Sequence, residues 1–543
     1  MVRPGIRRAP VVLAAGAILT ASLAAPAQAA QTGITISAPQ GASNTLAGHS
    51  FTAYRIGGYT DVVKANGRVA SFNVATADQG ATKAWLAAAL RKAGLTAKAG
   101  CDEACTIAGE TDAATLRRVA DLLAASASKP TATVSNQSGN TADFLWLNVP
   151  DGYYLVTDTN KDTLPMIVGT KVGGMNMATG TLGQLTVKTR TFTLDKTLVH
   201  ADGSESKTGS VRVGDTATYH IAFTMPYMEG ADASVRIVDQ MTGQTFKDMT
   251  GATIDGRDVT DQVGVVKAHA GGLTAIPAKS SGLPATTLHA GSVGFNLDRL
   301  ATAANGGKRV VITVRATITS AANNHHIEAP TGHVAWKDLS TGTVYTPDPP
   351  TSRADVYTGD LKVTKTSTAD RTARIPDAGF KIRDKGTGKW LSWSASGWSD
   401  AADEAHATEF HTGDADHDGK VTAAEASAST KGDATFPGLS SGTYEIRETT
   451  APEGFVKSNL GLPSLTATLD AEKGTVTYQG ADLPNLTTVE GGRAVVADMT
   501  SLTQLPTTGG VWGVITAVSV MAAFAGLAFG VRRATRASDG VAA

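Results

Sequence analysis

Two periodicities of apolar and polar residues divide the chain. Over most of its length the period is two. Ala217, Tyr219, Ile221, Phe223 and Met225 alternate with Thr218, His220, Ala222 and Thr224, and Val310, Ile312, Val314, Ala316 and Ile318 repeat the pattern. Such alternation, interrupted by Gly and Asp turns, predicts antiparallel strands with one face in a sandwich core. The period lengthens to that of a helix only near the start. Residues 81–93 and 111–125 have helical spacing, and in the second Leu116, Val119, Leu122 and Leu123 form one apolar stripe that Thr111 or Asp112 can cap. Strand-like stretches, Phe51–Ile56 and Phe144–Val149, bracket these segments, so the first region reads as a β-sandwich with a helical insertion. Two runs are apolar throughout. Val11–Ala25 follows Arg3, Arg7 and Arg8 and precedes Ala27-Gln28-Ala29, the pattern of a secretory signal peptide. Val511–Val531 is long enough to cross a bilayer as one helix, and Arg532, Arg533 and Arg536 hold its far end inside.

The predicted class is all-β: tandem Ig-like sandwiches, the first with a helical insertion, and a C-terminal transmembrane helix. The expected divisions are a signal peptide over 1–29, an N-terminal sandwich over 30–187, a middle sandwich over 188–357, a third over 358–500 and a C-terminal segment over 501–543. The third echoes the first, since Val149-Pro-Asp-Gly-Tyr-Tyr-Leu-Val-Thr-Asp-Thr159 matches Leu439-Ser-Ser-Gly-Thr-Tyr-Glu-Ile-Arg-Glu-Thr449. Charge narrows the partners. With 48 Lys and Arg against 49 Asp and Glu and no basic block, nucleic acid is excluded as an expected partner. Cys101 and Cys105, in a loop between the helical segments, are the only cysteines. A local disulfide suits an exported chain, and their spacing is not that of a redox pair.

Leu505-Pro506-Thr507-Thr508-Gly509, the apolar run and the basic tail together resemble the cell-wall sorting signal of Gram-positive bacteria. The resemblance implies that a sortase cuts between Thr508 and Gly509 and passes the Thr508 carbonyl to an amine. The helix is then a temporary anchor, and the peptidoglycan wall the final one. Tyr444-Glu-Ile-Arg-Glu-Thr-Thr-Ala-Pro-Glu-Gly-Phe455 resembles the strand that carries the catalytic glutamate in collagen-adhesin B-type domains. With three sandwiches and both end signals, the whole is similar to a sortase-assembled pilin. That likeness implies a structural subunit that polymerises with other pilin subunits and supports adhesion. The alternative is a singly anchored adhesin for a host matrix or glycan receptor. No nucleophile-elbow or zinc signature is present, so no enzyme is expected beyond single-turnover self-modification.

Alternation puts Leu361, Val363 and Lys365 on one strand face, and Tyr444, Ile446 and Glu448 on another. Both ionisable groups therefore point into apolar interiors, where charge is costly. Burial lowers a lysine pKa and raises a carboxyl pKa, so a neutral amine and a protonated acid can coexist. The resembled domains join such a lysine to an Asn or Asp on the last strand. The matching residue is Asp498, with Asn485 as the alternative, and Glu448 shuttles the protons. The other reading is a buried salt bridge. In the middle domain Lys196 shares a face with Phe192, Leu194 and Leu198, and Asp239 with Val235 and Ile237. Related pilins add an asparagine on the last strand. Pro330 stands there and cannot serve, which leaves Asn323 or Asn324 as the expected partner. The opening strand of the first domain has no lysine, and no bond is expected in it.

Asp414-Ala-Asp-His-Asp-Gly-Lys-Val-Thr-Ala-Ala-Glu425 fits the twelve-residue calcium loop. Asp414, Asp416, Asp418, the Lys420 carbonyl, Thr422 and Glu425 are the expected oxygen donors for a structural Ca2+. The alternative is a solvated acidic turn. Pilus linkage requires an accessible lysine, which resembling pilins carry in a Tyr-Pro-Lys motif between the first two domains. Here Lys188 occupies the place without the Tyr-Pro. Lys196 is expected to be buried, and Lys207 to lie in a polar turn with nothing to position it. His325-His326 is expected in a solvated loop.

Overall fold

A computed structural model describes residues 33–501, apart from 39–45, 98–99, 139–142, 161, 178–180, 270–272, 321, 340–341, 457–461, 481–485 and 491–492. Both apolar runs, Leu505, Pro506, Thr508, Gly509 and Asn485 lie outside the described residues. Among the described residues no helix is long and apolar enough to cross a membrane. The chain forms two compact units, one ending at Val187 and the other beginning at Lys188.

The first unit is the sandwich with its insertion. Strand β1 (Ile34–Ser37) pairs with β5 (Phe144–Leu147) and β8 (Gln184–Thr186) in one sheet. The other runs β3 (Arg68–Thr76), β2 (Ser50–Ala65), β6 (Tyr153–Asp158), β7 (Met166–Gly169), with β4 (Val134–Ser138) beside β2. Between β3 and β4 the chain turns helical, as α1 (Ala81–Ala93), α2 (Glu103–Ala108) and α3 (Ala113–Ala125). Trp85, Leu86, Val119 and Leu123 pack with Ile56 and Leu155 into a second small core. Asp112 rather than Thr111 caps α3, accepting a hydrogen bond from Thr115 N–H at 2.8 Å. Cys101 and Cys105 are joined; Cys101 lies in the loop before α2, but Cys105 does not. Cys105 lies in the first turn of α2, whose N-cap Asp102 accepts from Cys105 N–H.

The second unit contains two sandwiches. In the middle one a sheet in the order β9 (Asp195–Val199), β10 (Thr216–Thr224), β14 (Arg309–Ile318), β12 (Gln244–Ile254) faces a sheet in the order β16 (Ala354–Tyr357), β15 (His325–Asp338), β11 (Ala231–Thr242), β13 (Ser292–Asn296). The inward residues of the alternating strands, Tyr219, Ile221, Ile312 and Val314 among them, fill the core. In the third, β17 (Gly359–Ser367) lies between β21 (Asp433–Leu439) and β26 (Arg493–Asp498), with β25 (Thr487–Glu490) beyond. The facing sheet runs β20 (Gly397–Ala401), β19 (Trp390–Ser394), β18 (Gly379–Asp384), β22 (Gly442–Thr450), β23 (Ser464–Asp470), β24 (Thr475–Gly480). First and last long strands, β17 and β26, pair in parallel from Val363–Ala494 to Ser367–Asp498.

These two sandwiches are clasped. Val213 N–H donates to Gly438 O at 2.9 Å, and Trp398 N–H to Val213 O at 2.8 Å. The approach is so close that a Cβ on Gly397, whose φ is +106°, would lie 2.5 Å from the Val213 carbonyl oxygen. Arg212 reaches Asp400 at 3.3 Å beside it.

Candidate functional site

Each sandwich of the second unit buries one lysine against two carboxyls. In the third domain β17 carries Lys365 inward, with no exposed surface. Its Nζ donates to Glu448 Oε2 at 2.6 Å from the facing sheet, and to Asp498 Oδ1 on the neighbouring strand β26. The Phe380 ring lies 5.9 Å from Nζ, so the surroundings are otherwise apolar. Burial pushes the Glu448 carboxyl well above the usual glutamate value, partly opposed by Lys365 and reinforced by the Asp498 charge. Glu448 Oε1 and Asp498 Oδ2 are buried without a hydrogen-bond partner among the described residues. An inert buried ion pair would ordinarily satisfy such atoms.

The middle domain repeats the arrangement with a residue that the alternation alone did not single out. Lys196 on β9 is fully buried, and its Nζ donates to Asp239 Oδ2 at 2.6 Å. The third member is Glu328 on β15, whose Oε2 contacts the same Nζ. Neither Asn323 nor Asn324 is the partner; the Asn324 side chain instead bonds Asp360 and Thr358. The signal was available, because His326, Glu328, Pro330, Gly332 and Val334 alternate inward along β15. The inward acid on this strand is the glutamate two residues before Pro330. Burial raises the Glu328 carboxyl to about 8 against the pull of Lys196. Lys196 itself departs from expectation. Burial disfavours its ammonium, but Asp239 and Glu328 outweigh that and hold its pKa above the usual value.

Both triads can therefore generate the same reactive state. One carboxyl keeps its proton, and the ammonium can give a proton to the other. A neutral amine then faces two carboxylic acids, with no proton drawn from outside. Attack of Nζ on one acid, with the second acid donating to the departing hydroxyl, would form an amide and release one water.

In the first domain the echo extends to atoms. Tyr154 Oη donates to Pro150 O at 2.8 Å, and Tyr444 Oη to Ser440 O at 2.8 Å, each reaching back to the turn before its strand. The residue matching Glu448 is Asp158, and its neighbour is His49, with Nδ1 2.5 Å away. Asp158 also accepts from Ser50 N–H at 2.8 Å and from Asn160 N–H at 3.1 Å. Although burial raises it, these bonds leave its pKa below the usual aspartate value.

The acidic loop lies on one side of the third domain. Oxygens of Asp414, Asp416 and Asp418 come within 4.8 Å of one another. His417 (φ 61°) and Gly419 (φ 82°) supply the left-handed turns. Asp414 accepts from Gly419 N–H at 2.9 Å, and burial raises its pKa. Glu425 stands apart from that cluster. Its carboxylate accepts from Ala415 N–H and from the Thr422 N–H and hydroxyl, each at 2.8–2.9 Å, and it closes a capping box at α4 (Ala423–Ser427). The three converging carboxylates suit a hard cation, whereas Glu425 is held by its capping hydrogen bonds. Lys420 N–H donates to Asp418.

Other assignments change. Lys188 is exposed, with Nζ 4.9 Å from the Tyr227 ring centroid. Lys207 is not unpositioned, since it donates to Asp195 Oδ1 and Lys196 O, both at 2.6 Å. His325 and His326 belong to β15 rather than a loop, and His326 is buried with Nδ1 donating to Gly243 O at 2.7 Å.

Residues 359–482 match the family model described as SpaA, prealbumin-like fold domain. The match covers most of the third sandwich, which is similar to that domain. No curated protein matches the chain in sequence. Solved structures similar to it include the full-length major pilin SpaD from Corynebacterium diphtheriae, at 13% identity and a TM-score of 0.40 over 87% of this chain and 99% of that one. BcpA, the major pilin subunit of Bacillus cereus, is similar at 12% and 0.35 over 87% and 100%. The T6 backbone pilin of serotype M6 Streptococcus pyogenes is similar at 14% and 0.37 over 88% and 90%. These likenesses concern the fold alone. The matched residues include Lys365 and Glu448 but not Asp498.

Proposed function

We propose that this protein is a shaft subunit of a covalently polymerised pilus, exported and finally attached to the cell wall. The observation that carries the reading is the SpaA-like third sandwich with its buried lysine facing two carboxyls, an arrangement suited to a rod that must bear load. A membrane transpeptidase of the sortase class cleaves the Thr508–Gly509 peptide bond. The Thr508 carbonyl carbon passes to Lys188 Nζ of a second copy, and the Gly509 amine leaves with a proton. Within each subunit, amides form between Lys365 and Asp498 assisted by Glu448, and between Lys196 and Glu328 assisted by Asp239. Glu328 has the late-strand position that Asp498 has in the third domain, which is the ground for making it the acceptor. The Asp414–Glu425 loop takes one calcium ion as a structural brace, which neutralises carboxylates that otherwise repel.

The test is an immunoblot of cell-wall extract with antibody to this chain. A ladder of covalent multimers is the expected result, and it should disappear in a K188R strain while wall attachment persists. A single band from wild-type cells overturns the reading in favour of a singly anchored adhesin.

A further inference from the structure

An exposed lysine is a poor acceptor when its side chain is unordered, because its rotamers must be fixed before the amine meets an acyl group. Lys188 is held differently from Lys196, Lys207, Lys365 and Lys473. Lys196 and Lys365 are buried against carboxyls, Lys207 is held by Asp195, and Lys473 is paired with Asp470. Each of those partners is a carboxylate, which fixes the ammonium and stabilises its charged form. Lys188 instead has an aromatic face.

That face is firmly mounted. Tyr227 N–H donates to Thr189 O at 3.0 Å, which pins the tyrosine to the residue next to Lys188. One residue further, Arg190 is buried and its Nη2 donates to Glu229 O at 3.0 Å. The 188–190 and 227–229 segments are thus strapped together at two points. The ring rests on Gly306 and Gly307. A Cβ on Gly306 would lie 2.8 Å from Tyr227 Cδ1, and one on Gly307, whose φ is +80°, 2.2 Å from Oη. No side chain larger than hydrogen leaves room for the ring there. Burial and the Glu229 charge hold the phenol pKa above its usual value, so the ring stays neutral.

We propose that Tyr227 is the positioning residue for the acceptor amine: its mounted ring holds the Lys188 side chain outward in one direction without neutralising it. This rests on the reading of Lys188 as the linking lysine. The ring attracts the ammonium far more weakly than a carboxylate would. The arrangement therefore orders the side chain and still releases a nucleophile. Exposed Lys267 has a comparable aromatic contact, 4.8 Å from the Phe246 ring, but lies within a strand of the middle domain rather than at its entrance.

The experiment uses full-length precursor and its transpeptidase, and measures the rate of dimer formation for wild type, Y227F, Y227L and K188R. Leucine fills the cradle without a π face, and phenylalanine keeps the face. Y227F is expected at the wild-type rate and Y227L about two- to five-fold slower, the rate equivalent of an exposed cation–π contact. A triglycine acceptor, which bypasses Lys188, should be used equally by all four. Independently, the 13C-methylated Lys188 resonance, assigned by its absence in K188R, should show an upfield ring-current shift that is present in wild type and Y227F and lost in Y227L. Dimerisation of Y227L at the wild-type rate overturns the role of Tyr227 while leaving Lys188 in place. Dimerisation of K188R removes the acceptor assignment itself.

Discussion

The two lysine triads of the second unit differ in which strands they would join. In the third domain Lys365 and Asp498 lie on neighbouring strands of one sheet, and only Glu448 faces them from across the core. In the middle domain both carboxyls oppose the lysine, on β11 and β15, where Met241 is paired with Glu328 and Asp239 with Pro330. A bond in the third domain ties first strand to last; one in the middle domain staples sheet to sheet. The shared requirement is dryness and three groups in contact, not a fixed topology. The first domain marks the limit. At the place of Glu448 it has Asp158, but His49 and two backbone N–H groups satisfy that carboxylate and stabilise its charge. A carboxyl stabilised as an anion cannot act as an acid at neutral pH.

The largest test of this contrast is covalent. Disulfide-reduced wild-type protein, compared with the sequence of the same processed chain, should weigh two waters less than that sequence. E448Q should regain one water and lose the Lys365 cross-link, which closes a separation of 133 residues and is worth about 5 kcal/mol on the loop-entropy scale. D239N should regain the other water at a cost of similar size. A tryptic branched peptide containing Lys196 and Asp239, rather than Lys196 and Glu328, would reverse the assigned roles in the middle domain. An unmodified wild-type mass would leave both triads as salt bridges.

A smaller effect is expected from the acidic loop, which the other sandwiches lack a counterpart for among their described residues. Calcium at a hundred-fold excess over Kd should stabilise the third domain by about 2.7 kcal/mol, read as a shift in its melting transition, and E425Q should remove most of the gain. Without the cation, burial raises the Asp414 pKa, so that group favours folding below the usual aspartate range and loses this advantage as pH rises through its folded value. The calcium gain should therefore be larger at pH 7 than at pH 4. Equal melting with and without calcium would show the loop to be a plain turn.

The smallest effect belongs to the first domain. D158N should cost about 1.5 kcal/mol at pH 7, as for a hydrogen bond to a charged group. Because the folded pKa of Asp158 is depressed, its contribution is present above the unfolded value and fades as pH falls through the folded one. The difference between D158N and wild type should shrink in acid. A pH-independent difference would mean that packing, not charge, is what the aspartate supplies.

Much of this was legible along the chain, and the missing parts share a cause. Period-two alternation places Lys365, Glu448 and Asp239 inward without reference to any other strand. It also places Glu328 inward, but only register across the β11–β15 ladder shows that Glu328 rather than Asn323 or Asn324 meets Lys196. The same holds for Lys188. Its exposure follows from its neighbours, whereas Tyr227, 39 residues on in sequence, reaches it only through the strapped segments. His326 misled because two adjacent histidines look like a polar loop, although in a strand one of the pair must turn inward. The equivalence of Asp158 and Glu448 was present in the repeated turn-and-strand pattern. That His49 satisfies the first and a lysine faces the second is a matter of long-range pairing.

The parallel pairing of β17 with β26 governs how the third domain meets tension. Pull applied where the chain enters at Gly359 and where it leaves after Asp498 draws these two neighbours in opposite directions along their own axes. The ladder from Val363–Ala494 to Ser367–Asp498 then resists in shear, all rungs together, instead of opening one rung at a time as a hairpin does when its ends are parted. With an amide between Lys365 and Asp498, force would pass from the first strand to the last through a covalent bond. The intervening chain, including the acidic loop, would hang outside the line of load and could unfold without lengthening the path from Gly359 to Asp498.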